Sequence, residues 1–310
     1  MIVKKEQGVT LIELMIVLVI AAFLVAGIYS LFITQHRSYT VQDQVAGVQQ
    51  DARVALDIMA RDIRVAGFLI GSQGFNVNGA QFAVTPNNPG GTDSITVAAA
   101  ADEFMSGTNP VTVTNVTGNV VAVSASNSEI NGFFDTGANS FVVFEGDSTH
   151  AIYQISGITG QTLTLSESPP TYLATVTDST GSVVGARVFR AKSITYRVQS
   201  NTLQRSENGG AFQPLAGDGI NTSVEDLQFA YQVAGSNTWI FDSPAHTWPA
   251  GNTFADIRMV RINIIVKTAV PDPKETSFFK PACEDRGQVN SDPGNRRRVY
   301  TTVVKVRNLK

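Results

Sequence analysis

The sequence predicts an α+β protein in which one long N-terminal helix, first transmembrane and then amphipathic, packs on a mainly antiparallel β-sheet domain. Three observations carry that expectation. Leu14 to Ile33 is a run of twenty residues without a charged side chain, long enough to cross a hydrocarbon core as a helix. An apolar stripe at helical spacing then continues, without a proline, to Gly67. Beyond it, apolar and polar residues alternate with period two nearly to the C terminus, the pattern of half-buried strands.

The helix opens at Thr10-Leu11-Ile12-Glu13, which fits the capping box of a helix start. A lone acid in a membrane helix costs about 2.5 to 3.5 kcal/mol on insertion scales, so Glu13 calls for a nearby cation. Lys4 and Lys5 precede the span, and His36 and Arg37 follow it. That bias favours a cytoplasmic N terminus and an exported remainder. The apolar run is longer than the roughly 7 to 15 residues of a cleaved secretory signal.

Gly8-Val9-Thr10-Leu11-Ile12-Glu13-Leu14, after its short basic leader, resembles the prepilin cleavage and methylation motif of type IV pilins and type II secretion pseudopilins. The fold class it implies is pilin-like. The resemblance further implies that a membrane aspartyl prepilin peptidase cuts after Gly8 and methylates the new amine on Val9. Glu13, the fifth residue of the mature chain, would then pair with an N-terminal amine in the assembling filament, with Thr10, Leu11 and Ile12 completing the assembly segment. Most members have Phe where this chain has Val9. The expected division is residues 1–8 as leader peptide, 9–33 as transmembrane assembly helix, 34–67 as amphipathic helix continuing into the globular domain, and 68–310 as a β-rich exported domain.

Composition agrees with an exported β-rich domain. Of 310 residues 16% are charged, below the roughly 25% of ordinary soluble domains. Net charge is −3, and loss of Lys4, Lys5 and Glu6 with the leader makes it −4; neither value argues for a nucleic-acid partner. Arg296, Arg297, Arg298, Lys305, Arg307 and Lys310 read as the solvated face of a strand before a basic patch. Cys283 is the single cysteine, so no intrachain disulfide forms and the core must hold the domain together.

In chain order, Val41, Val45, Val48, Ala52, Ala55, Met59 and Ile63 make the helical stripe, with Arg53, Asp57 and Arg61 on the outer face. Gly67 ends the helix. Strands are expected at 94–100, 110–126, 140–146 and 151–168, the last a hairpin turning near Gly157 to Gly160. Clearer strands follow at 192–206, 224–234, 257–268 and 297–309. In the third of these Val260, Ile262, Ile264 and Val266 share a core face, while Arg261, Asn263 and Lys267 point the other way. The proline-interrupted stretch 271–296 between the last two strands reads as a surface-displayed loop.

The stretch "QQDARVALDIMARDIRVAGF" and these C-terminal strands resemble the PilW-type minor pilins, with the type II secretion pseudopilin J a nearer cousin than the major pilins. The likeness is thin over 75–185. It implies a minor pilin in the bacterial inner membrane, working with other minor pilins, the major pilin and an inner-membrane assembly platform to prime a type IV pilus. A type II secretion minor pseudopilin and a pilus-displayed adhesin remain as alternatives.

Catalysis leaves no trace in the pattern. His36, His150 and His246 are isolated, and no HExxH, GxSxG, P-loop or GxGxxG string occurs. No cofactor or metal is expected. Asp178, Ser179, Asp292 and Gly294 fit turn chemistry better than calcium ligation, and Trp239, Phe241, His246 and Trp248 fit packing better than a glycan platform.

Overall fold

The computed structural model describes residues 9–71, 80–87, 91–134, 140–147, 149, 151–217, 222–241, 248, 251–268, 271, 279–284, 286–289 and 294–309. The chain divides into two compact units, Met1–Gly47 and Val48–Lys310. Helix α1 spans Leu11–Val65.

In the first unit every residue from Val9 to His36 is exposed. This is the uncharged stretch singled out in the sequence, and nothing within the unit covers it. Such an apolar surface is stable only in lipid or against other apolar helices.

In the second unit the last five turns of α1 form one wall of the principal core. Val48, Ala52, Ala55, Met59 and Ile63 are all buried, as the stripe predicts, while Arg53, Asp57 and Arg61 are exposed. Ala60 and Ala66 are buried as well; small side chains on this face let the helix lie close to the strands. Gly67 follows at φ +80°, the left-handed conformation of a helix C-cap. Its N–H donates to Ala98 O at 2.9 Å, and a Cβ there would stand 2.7 Å from Leu309 Cδ2.

Strands follow in chain order. β1 (Val84–Asn87) and β2 (Ser94–Glu103) precede the short pair β3 (Met105–Ser106) and β4 (Asn109–Pro110). β5 (Val113–Thr117) and β6 (Val120–Val123) form a hairpin, followed by helix α2 (Asn127–Phe133) and β7 (Phe141–Phe144). β8 (Tyr153–Thr159) and β9 (Thr162–Leu165) make the next hairpin. β10 (Val188–Gln199), β11 (Thr202–Glu207) and β12 (Gln213–Ala216) lead to β13 (Thr222–Val233), β14 (Ile240–Phe241), β15 (Ile257–Thr268) and β16 (Arg297–Lys305).

A ten-stranded sheet runs in the order β1-β2-β10-β7-β8-β9-β6-β5, with β11 on β10 and β12 on β11. It forks at β10, whose Val188–Ala191 pair with β7 while Ile194–Gln199 pair with β11. A four-stranded sheet has the order β14-β13-β15-β16. All of these pairings are antiparallel.

The principal core joins α1 to both sheets through Ile95, Val97, Ile194, Tyr196, Leu227, Phe229, Tyr231 and the expected β15 face Val260, Ile262, Ile264 and Val266. Residues 104–188 build a second core of their own, with Phe104, Val121, Ile130, Phe134, Phe144, Leu163 and Leu173 all buried.

Three details differ from the sequence pattern. The β8–β9 turn falls at Gly160-Gln161, and Gly157 lies inside β8 at a bulge. Helix α2, capped by Ser126 and Glu129, was not expected. The second face of β15 is not open to solvent either: Asn263 and Ile265 are buried, because the described part of the 271–296 stretch folds back over it.

Candidate assembly site

The N-terminal candidates sit at the head of α1. Thr10 N and Thr10 Oγ1 both donate to Glu13 Oε2 at 2.9 Å, and Glu13 N donates to Thr10 Oγ1 at 3.3 Å. The capping box therefore forms, satisfying donors that a helix start leaves open. It occupies one carboxylate oxygen; Glu13 Oε1 accepts nothing among the described residues. Val9, Leu11 and Ile12 are exposed beside it. Gly8 and the residues before it lie outside the described residues.

In the globular unit, the polar groups are arranged as internal fasteners. Tyr196 donates its hydroxyl to Asp62 Oδ2 at 2.5 Å, and Arg205 Nε donates to the same hydroxyl oxygen at 3.2 Å. Burial and the Asp62 charge push the Tyr196 hydroxyl well above its ordinary pKa. On the same helix Asp51 Oδ2 accepts from Thr222 Oγ1 at 2.6 Å. Both acids tie the helix to strands of the principal core.

The outer face of the four-stranded sheet carries a second polar group. Arg261 forks onto Glu284 at 2.6 and 2.7 Å, Asn263 Nδ2 donates to Glu284 Oε1 at 2.5 Å, and Lys280 reaches the fully buried Asp226 at 2.5 Å. Lys280 and Val289, and Cys283 and Arg286, make antiparallel bridges within the strap. Cys283 is buried there, its thiol pushed up to about 12 chiefly by burial and then by the charges of Glu284 and Asp226. Nothing in the sequence pattern joins these residues, which come from segments far apart.

The remaining candidates resolve individually. Asp178 Oδ1 accepts from Thr180 N, Thr180 Oγ1 and Ser182 N at 2.6 to 3.0 Å, which is turn chemistry. Asp292, His150 and His246 lie outside the described residues. Trp248 meets Phe254 edge-on at 5.0 Å against the principal core, and Trp239 lies under the Arg261 guanidinium at 4.4 Å; both are packing roles. Arg297 forks onto Glu225, whereas Arg298, Lys305 and Arg307 are exposed. Among the described residues no group of three or more His, Cys, Asp or Glu is placed to hold a metal ion.

Comparison with known families places two matches on this geometry. The prokaryotic N-terminal methylation motif matches residues 3–29, covering the capped helix head and the exposed apolar span. The family described as type IV pilus-assembly protein W matches residues 190–308, from β10 through the end of β16. The two matches together support a PilW-type minor pilin of the type IV pilus. The second match contains most strands of the principal core but not β2 with Ile95 and Val97, and the separately cored region 104–188 lies almost wholly outside it. Both matched families are pilin structural families. The apolar helix and the methylation motif fit a membrane-anchored pilin. A structure titled type IV-like pilin TTHA1219 from Thermus thermophilus is similar at 12% identity and TM-score 0.42, covering 84% of this chain and 96% of that one. Comparison with curated protein sequences returns no match.

Proposed function

We propose that this minor pilin primes or supports type IV pilus assembly by helix bundling after a prepilin peptidase cuts between Gly8 and Val9 and methylates the Val9 amine. The observation that carries the reading is the half-used carboxylate of Glu13, set at the head of an uncovered apolar helix. One oxygen closes the cap, and the other is left to receive the freed amine of this or a neighbouring subunit. Lateral packing exchanges lipid for other helices, with little hydrophobic gain. A buried charge pair then fixes axial register, since a helix displaced along its neighbour would leave the acid unneutralised.

Before assembly the N terminus lies in the cytoplasm, 9–33 crosses the inner membrane once, and the β domain stands in the periplasm. The partners are other minor pilins, the major pilin and an inner-membrane platform that supplies the work of extraction. The deciding experiment is the intact mass and N-terminal sequence of the native protein. A chain starting at N-methylated Val9 supports the reading, and any other start refutes it. Gly8→Val is expected to leave an uncut precursor in the membrane, and full maturation of that variant overturns the assigned cut.

A further inference from the structure

The two large sheets end in strands whose outer backbone groups lack a ladder partner. Proteins blunt such edges with shortness, proline, bulges or charge. Among the described residues four of the five ends are blunted by shape. β1 has four residues including Pro86, β12 contains Pro214, β14 has two residues, and β5 is bulged between Val113 and Asn115.

β16 is different. It runs nine residues, Arg297–Lys305, with no proline and an unbroken register on β15. Among the described residues no backbone group from Arg298 to Lys305 bonds to any segment other than β15. The strand carries no acid. Arg298 and Lys305 on it and Arg307 just beyond it are exposed, as is Arg64, whose carbonyl accepts from Arg307 N at 3.3 Å. None of these four cations has an ion-pair partner among the described residues. On a chain of net charge −3 this is a local concentration of unneutralised positive charge along an open strand edge. Val303, 46% exposed, adds an apolar contact between the charges.

We propose that β16 is a docking edge for an extended acidic segment of a partner protein, which adds to the four-stranded sheet as a further strand. Main-chain hydrogen bonds supply affinity, and carboxylates opposite Arg298 and Lys305 supply selection. The same charges repel a second copy of this edge, so pairing between identical subunits is disfavoured. This docking is independent of leader cleavage and of Glu13.

The test uses the full chain in detergent micelles and a fluorescent nine-residue peptide with two glutamates at each end and Val-Thr-Val-Thr-Val between them, so that carboxylates lie on both faces of the added strand, opposite Arg298 and Lys305 in either direction. Controls are the counterpart with lysine for glutamate and the acidic peptide N-methylated throughout, which keeps its charge and loses its N–H donors. The acidic peptide is expected to bind and the basic one not to. N-methylation, and separately the double change Arg298→Glu with Lys305→Glu, are each expected to weaken binding by roughly tenfold or more. Both cations are exposed and, among the described residues, have no ion-pair partner, so an unchanged denaturation midpoint is expected for the double variant. Failure of the acidic peptide to bind overturns the proposal, as does equal binding of its N-methylated form, which would mean charge attraction alone. Tighter binding of duplex DNA, lost in the double variant, would also overturn it by assigning the strip to nucleic acid.

Discussion

The hydroxyl of Tyr196 on β10 donates to Asp62 on α1 at 2.5 Å, although 134 residues separate them in sequence. Tyr196 is fully buried, and Arg205 closes the triangle by donating to the tyrosine oxygen. Removing the hydroxyl with Tyr196→Phe keeps the ring in the core but strips Asp62 of its shortest bond. A loss of about 1.5 to 3 kcal/mol is expected, the range for a hydrogen bond to a charged group. Denaturant unfolding followed by the fluorescence of Trp239 and Trp248 measures it, and an unchanged midpoint would show the contact to be incidental.

Glu284 holds the strap over β15 through Arg261 and Asn263. Glu284→Ala leaves the guanidinium, among the described residues, with the Trp239 ring, and a cost of about 2 kcal/mol is expected, below that of a fully buried pair because Arg261 is partly open. Trypsin should then cut after Arg286 faster than in the wild type, whereas Lys280 is protected in either case by the proline that follows it. Equal cleavage rates would show that the strap is held by something else.

Gly185 sits at φ +74°, and a Cβ there would lie 1.9 Å from Val113 O. No side-chain movement relieves a clash with backbone, so Gly185→Ala must push β5 away from the 185–186 segment. Its expected cost exceeds the roughly 1 to 2 kcal/mol of the left-handed conformation alone. The loss should register as a lower melting temperature and faster hydrogen exchange at Val113 and Ala186, with α1 amides less affected.

The Cys283 thiol has an ordinary pKa of 9.0 and is raised to about 12 in the fold, first by burial. A raised folded value means that the folded state holds the proton more tightly. Stability from this group is therefore complete below pH 9 and falls as pH climbs from there toward 12. Cys283→Ala should flatten the first part of that decline, before Tyr196 ionisation adds its own penalty above pH 10. Identical alkaline profiles would count against a buried neutral thiol.

Glu13 has two separable roles. Glu13→Gln retains an oxygen for the Thr10 donors but no charge, whereas Thr10→Val retains the charge and removes the cap hydroxyl. The first is expected to be inserted and cleaved yet absent from sheared pili. The second should be incorporated, with the first turn weakened by about 1 kcal/mol. Incorporation of the glutamine variant at wild-type levels would eliminate the charge pair.

What the sequence made legible was local. Thr10 and Glu13 are three residues apart, the α1 stripe repeats every three or four, and Val260 to Val266 alternate strictly; each announces its element without help from elsewhere. What stayed hidden depends on distant partners. The burial of Asn263 requires Glu284, and the role of Asp62 requires Tyr196 and Arg205. Periodicity reports which way a side chain points from its own backbone, not which remote segment will arrive to cover it. Helix α2 was a different kind of miss. Its Ser126 and Glu129 cap was readable, but seven residues containing two asparagines and a glycine give weak helical propensity.

The return of the chain between β15 and β16 is fastened by opposite charges, in a protein whose single cysteine has no disulfide partner within its own chain. Because Asp226 and Glu284 are shut away from the surrounding electrolyte, moderate salt should loosen that grip little, and reductants such as dithiothreitol should pass without effect.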